Sequence, residues 1–123
     1  MDVVLADREI DVMEVLWERG SATVAEVREQ LPDELAYTTV LTVLRTLAEK
    51  GYVGYEEEGR AHRYHPLLER DLARSGALRK VMRKMFRGSP ELLLTHLVTK
   101  RDVPEDAIRR MRELLDTHLQ EEE

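Results

Sequence analysis

Residues 37 to 51 read YTTVLTVLRTLAEKG, and the organisation of the whole chain follows from how this stretch folds. Val40, Val43, Leu44 and Leu47 recur at spacings of three and four, which predicts a helix with one buried face. The opposite face carries Thr38, Leu41, Thr42, Arg45 and Glu49. From Tyr37 to Ala48 there are one arginine, five hydroxyl or phenol side chains and no carboxylate. Such a face can approach a polyanion. Threonine bonds phosphate oxygens or base edges, its methyl meets the thymine methyl, and arginine forks onto guanine. The alternative is an ordinary amphipathic helix whose threonines face water, and this stretch alone leaves both readings open.

The flanks narrow the choice. Upstream, Asp7 is expected to cap a helix reaching about Arg19, with Ile10, Met13, Leu16 and Trp17 inward and Gly20 at its end. Trp17, the only tryptophan, reads as a core anchor. Ser21 to Thr23 is a connector or a very short strand. Thr23 with Glu26 forms a capping box for a second helix through about Leu31, with Val24, Val27 and Leu31 inward, and Pro32 stops it. Downstream, residues 52 to 66 (YVGYEEEGRAHRYHP) predict two strands joined at Glu58 and Gly59. That loop sets Tyr55 opposite His62 and Val53 opposite Tyr64, four large side chains on one packed face, with Arg60 at the tip and Arg63 on the other face. Three helices with a tight turn between the second and third, followed by a two-stranded ribbon, make a winged helix-turn-helix over residues 1–67. The fold class is mainly α with a small β wing. Its expected nucleic-acid contacts are Thr38, Thr39, Thr42, Arg45 and Thr46 in the major groove, a phosphate on the second helix's amide end near Thr23, and Arg60 and Arg63 on backbone or minor groove.

Residues 68–123 form a second, helical region. Leu72, Leu78, Val81, Met82, Met85 and Phe86 follow a helical period, with Ser75 and Gly76 as an interior weak point. Gly88 stops this helix, and Ser89 caps another bearing Leu93 and Leu97. Pro104 enters a last one with Ile108, Met111 and Leu115. Three short helices so rich in leucine and methionine cannot bury those faces on one another. A second copy of the segment is the simplest cover, giving a twofold dimer whose recognition helices fall about 34 Å apart, or a multiple of that, on a palindromic duplex; the alternative is that the helices pack back on the winged domain within a monomer.

Composition sets bounds on partners and chemistry. Hydrophobic residues make up 42% and charged residues 36% of the 123, a balance for a globular fold rather than a membrane span, and no secretory signal is visible, so a cytoplasmic protein is expected. The net charge is −6, and residues 1–67 hold seven Lys/Arg against fourteen Asp/Glu. Indiscriminate binding to nucleic acid is therefore disfavoured, and any duplex surface must be a local patch in an acidic unit. The absence of cysteine removes thiolate nucleophiles, disulfides and cysteine metal sites. His62 and His65, three apart on a strand, point to opposite faces, and His96 and His118 lack partners, so neither metal nor cofactor is expected. No nucleophile with a paired base and no phosphate loop occurs, which disfavours an enzyme. From Ala73 to Arg87 there are six bases and no acid, a solvated face or a further polyanion contact.

Four segments, LADREIDVMEVLW, GSATVAEV, YTTVLTVLRTLAEKGYV and GRAHRYHP, closely resemble the penicillinase repressor family, the BlaI/MecI/CopY type of bacterial regulator. The resemblance implies a homodimeric repressor of a palindromic operator, with a C-terminal dimerisation region and a hinge at Phe86 to Ser89. It also marks departures. Relatives commonly carry an arginine where this chain has Thr46, with Arg45 one position earlier. One residue turns a side chain by about 100° around a helix, so an operator sequence does not carry over. The copper-responsive branch uses a C-terminal cysteine cluster that is absent here. The lactam-responsive branch is released by a membrane sensor protease cutting at an asparagine-phenylalanine pair, where this chain has His96 and Leu97. Two other readings stay open: a winged module for protein association, and a winged regulator answering to a small molecule.

Overall fold

The computed structural model describes residues 3–100 and 103–122. Its elements run α1 (Asp7–Arg19), β1 (Ala22–Thr23), α2 (Val24–Gln30), α3 (Tyr37–Glu49), β2 (Val53–Glu58), β3 (Ala61–Pro66), α4 (Arg70–Met85), α5 (Pro90–Thr99) and α6 (Glu105–Glu121). The chain divides into two compact units, Met1–Leu78 and Arg79–Glu123. The division falls inside α4 rather than after residue 67. The first turns of α4 are held to the winged unit by Arg70, which lies over the Trp17 ring at 5.5 Å and pairs with Glu14 at 3.0 Å. Gly76 marks a close approach in the same unit: a Cβ there would stand 2.7 Å from the Val3 carbonyl oxygen, so only glycine lets the N-terminal segment lie against α4.

In the first unit Val12, Met13, Leu16, Val27, Val40, Leu44 and Leu47 are fully buried, and β1, β3 and β2, antiparallel in that order, close one side. Trp17 donates its indole N–H to the Leu68 carbonyl at 2.8 Å, the anchoring role expected of it. The inward stripe of α1 is Glu9, Val12, Met13 and Leu16, and Ile10 is exposed. Asp7 is the first helical residue rather than the cap. Ala6 holds the cap position, and its N–H donates to Glu9 Oε1 at 2.8 Å.

Turning Glu9 inward gives the unit a charged tie. Its carboxylate, 5% exposed, receives Lys50 Nζ at 2.8 and 2.9 Å, joining the start of α1 to the end of α3. Burial alone would push the Glu9 carboxyl up, but the Lys50 and Ala6 hydrogen bonds outweigh it and hold the carboxyl below the usual carboxylate range. A depressed folded-state pKa contributes stability above the unfolded value that is lost as pH falls through the folded one. Lys50→Met is therefore expected to destabilise the unit by about 1.5–3 kcal/mol near neutral pH. Urea titrations should show that difference shrinking as pH falls through the lowered folded-state pKa of Glu9, below which its carboxyl is protonated in both proteins.

The hairpin forms with a shifted register. Tyr55 pairs with Tyr64 and Val53 with Pro66, so Gly59 and Arg60 are the loop. Gly59 has φ +62°, and a two-residue loop of type II′ places its left-handed glycine first, which moves the turn one residue on and the register by two. A shift of two preserves the side-chain faces, so Val53, Tyr55, His62 and Tyr64 still share one. That face is packed only at its base. Val53 and Tyr64 are buried, while Tyr55 is exposed and stacks on His62 with ring centroids 4.5 Å apart.

The second unit begins in α4 and continues through α5 and α6. Ser89 Oγ accepts Leu92 N–H at 3.1 Å, the predicted cap of α5, and Pro104 stands at the N-cap of α6. Neither α5 nor α6 has a fully buried side chain. His96, without a partner in the sequence reading, meets Phe86 edge-on at 5.9 Å.

Candidate nucleic-acid interface

The α2 and α3 helices enclose a turn of six residues, and α3 starts at Tyr37 with no acid in its first turn. With Val40, Leu44 and Leu47 fully buried, the helix cannot rotate, and Thr38, Thr39, Thr42 and Arg45 are exposed on its other side. Thr46 is half-buried. Among the described residues no carboxylate pairs with Arg45. Its charge reaches the Tyr64 phenol, which burial pushes up and Arg45 pulls back.

The threonines are not equivalent. Thr42 Oγ1 donates to the Thr38 carbonyl at 2.9 Å and Thr46 Oγ1 to the Thr42 carbonyl at 3.0 Å. Each of these hydroxyls has its hydrogen committed to the backbone and offers outward an accepting lone pair and a methyl group. Outward donation from α3 therefore falls to Arg45, Tyr37, Thr38 and Thr39.

The second expected contact is altered by the fold. The capping box is present as predicted: Thr23 Oγ1 accepts Glu26 N–H at 3.3 Å and Glu26 Oε1 accepts Thr23 N–H at 2.9 Å. The Glu26 carboxylate thus sits at the amide end of α2, where an incoming phosphate would meet its negative charge. The third contact splits. Arg60 stands exposed in the hairpin loop. Arg63 is engaged by two carboxylates, Glu26 Oε1 at 3.0 Å and Glu58 on β2. Glu56 and Glu58 share Arg63's face of the ribbon and Glu57 shares that of Tyr55.

The Thr23–Glu26 spacing in the sequence predicts a cap and nothing more for Glu26. Its contacts to Arg63, and to Arg19 at 3.1 Å, bridge 37 and 7 residues, and only the pairing of Thr23 with Arg63 across β1 and β3 brings the first of them together. Among the described residues no group of three His, Asp or Glu side chains is arranged to hold a metal ion. Among the described residues no helix is long and apolar enough to cross a membrane.

Of the residues expected at a twofold contact, Leu72, Leu78, Val81, Met85, Leu97 and Leu115 are exposed, and Met82, Phe86, Leu93, Ile108 and Met111 are half-buried. Met85 is 74%, Leu114 69% and Leu119 64% exposed.

Three helices on a small antiparallel sheet, with the third helix displaying a polar face that holds no acid from Tyr37 to Ala48, define a winged helix-turn-helix protein of the DNA-binding class. Residues 5–117 match the family model described as penicillinase repressor, and the chain belongs to that family. It is 40% identical over 111 residues to the transcriptional regulator BlaI of Mycobacterium tuberculosis, covering 86% of this chain and 80% of that one. It is 22% identical over 114 residues to the methicillin resistance regulatory protein MecI of Staphylococcus aureus, covering 91% and 93%. Among solved structures, the DNA-binding domain of the repressor BlaI superposes with a TM-score of 0.52 at 29% identity, over 58% of this chain and 93% of that one. MarR of Escherichia coli, solved with operator DNA, gives 0.54 at 13% identity over 94% and 76%, a likeness of fold alone.

Proposed function

We propose that this chain is a cytoplasmic homodimeric repressor that binds a palindromic operator with the exposed face of α3 in the major groove. The observation that carries the reading is the Tyr37-to-Ala48 face, which holds Arg45 and the exposed hydroxyls of Thr38, Thr39 and Thr42 without a carboxylate, in a chain of net charge −6. Arg45 is assigned to guanine and the threonines to base edges, thymine methyls and phosphate; Arg60 is assigned to the backbone beside the wing. Arg63 is left out of direct contact because its guanidinium is already paired.

The dimer is assigned to the second unit. Its leucines at 114, 115 and 119 are all more than half exposed, an apolar stripe that a lone chain would leave in water. Leu115→Glu with Leu119→Glu is expected to halve the mass seen by sedimentation while leaving the winged unit's melting unchanged. The same variant should lose most affinity for a palindrome, since the two half-sites are then bound independently.

Release by a sensor protease has a physical condition attached. His96 and Leu97 lie inside α5, where the His96 carbonyl accepts Lys100 N–H at 3.2 Å, so cleavage there requires local unwinding of α5. The experiment for the whole reading is selection from a randomised duplex pool. A palindrome bound by two chains, with affinity falling steeply as salt rises, is the expected result, and no preferred duplex at low salt overturns it.

A further inference from the structure

The base of the wing carries an ion network that base reading by α3 does not itself require. Arg63 donates to Glu26 Oε1 at 3.0 Å and to Glu58, and Glu26 Oε2 receives Arg19 Nη2 at 3.1 Å. One carboxylate thereby joins the end of α1, the start of α2 and the second wing strand. The side chains are about one-third exposed, at 31% for Glu26 and 32% for Arg63, a setting in which ion pairs add little to global stability. What they fix here is position. β1 meets β3 over two residue pairs only, Ala22 with Tyr64 and Thr23 with Arg63, so Glu26 reinforces a short seam between the ribbon and the helices.

The network also disposes of a cation. A guanidinium beside an acidic ribbon would otherwise be free to neutralise a phosphate on any duplex, whatever its sequence. The Thr23 N–H, and after it Arg63 and Arg19, hold the Glu26 carboxyl below the usual range, so it stays ionised at neutral pH.

We propose that Glu26 is a positioning residue for duplex recognition, clamping the wing through Arg63 and withholding that guanidinium from phosphate, so that the protein discriminates more sharply between its operator and random DNA. This rests on the DNA-binding reading above. With Glu26 uncharged, Arg63 keeps only the Glu58 carboxylate of the ribbon itself and can turn to a phosphate on every duplex, whereas the specific complex must in addition order a loosened ribbon.

The test uses the full chain, a duplex selected from a randomised pool by the wild type, and a scrambled duplex of the same composition. Glu26→Gln keeps an oxygen for the Thr23 N–H and removes the charge. It is expected to strengthen scrambled-duplex binding, steepen its log affinity against log salt by about 0.9, one phosphate's share, and lower the selected-to-scrambled ratio roughly fivefold. Adding Arg63→Gln to Glu26→Gln should return the slope to that of the wild type. Glu58→Gln, which leaves the α2 cap untouched, should move both quantities the same way by less. A cap that served folding alone would weaken both duplexes equally and leave the slope unchanged. An unchanged slope and ratio in Glu26→Gln overturns the proposal, as does an Arg63→Gln single variant that flattens the slope on the selected duplex. A wild type with no preferred duplex overturns the DNA-binding reading and the clamp together.

Discussion

Leu44→Ala is expected to lower the stability of the winged unit by about 2–5 kcal/mol, the range for truncating a buried leucine whose surroundings relax only in part. Leu44 is fully buried in the cluster that also holds Met13, Leu16, Val27, Val40 and Leu47. The helix it belongs to cannot shift to fill the space, because Val40 and Leu47 hold the same face one turn to either side. Domains of this size have about 5–15 kcal/mol in total, so the loss is a large share of the reserve. Trp17 belongs to the same unit, and its fluorescence during urea unfolding reports that transition apart from the second unit's. A midpoint within error of the wild type would show that α3 is not packed as described.

The neighbouring residue is expected to behave in the opposite way. Arg45→Ala should leave the unfolding midpoint within about 0.5 kcal/mol of wild type, as an exposed side chain without a carboxylate partner does. It should weaken binding to the selected duplex by about 1–3 kcal/mol, the value of a bidentate arginine to guanine. Affinity for scrambled duplex should fall far less. Titration of both duplexes at one salt concentration decides it, and an equal loss on the two would mean that Arg45 holds phosphate. Residues 44 and 45 stand about 100° apart on one helix, so core and recognition separate at a single peptide bond.

Leu44 and Arg45 also show how much of the protein could be read in advance. The period of Val40, Leu44 and Leu47 told which side of α3 is buried, because helical geometry turns a spacing in sequence into a face in space. The same local logic placed the Thr23 cap, the Ser89 cap and the ends of α2 and α3, each decided by residues within one turn. The resemblance to penicillinase repressors rested on these segments too, and the family match spans them. Where local signals competed, the reading slipped by a turn or a residue. Ile10 was expected inward on α1, but the stripe is rotated toward Glu9, which Lys50 neutralises from 41 residues away.

The amino-acid sequence by itself therefore determined the order of elements, the buried face of α3 and the polar face opposite, free of acids from Tyr37 to Ala48, since those depend on neighbours three or four positions apart. Tertiary structure alone decided which charges are free to meet a partner. Arg45, Arg60 and Arg63 look alike along the chain, yet Arg63 is paired with Glu26 because β1 lies against β3 and brings residues 23 and 63 together. It also decided that the ribbon turns at Gly59 and Arg60, where a left-handed backbone must come first in the loop. Ion pairs between distant residues carry no periodicity, and only the folded chain supplies the distances on which they depend.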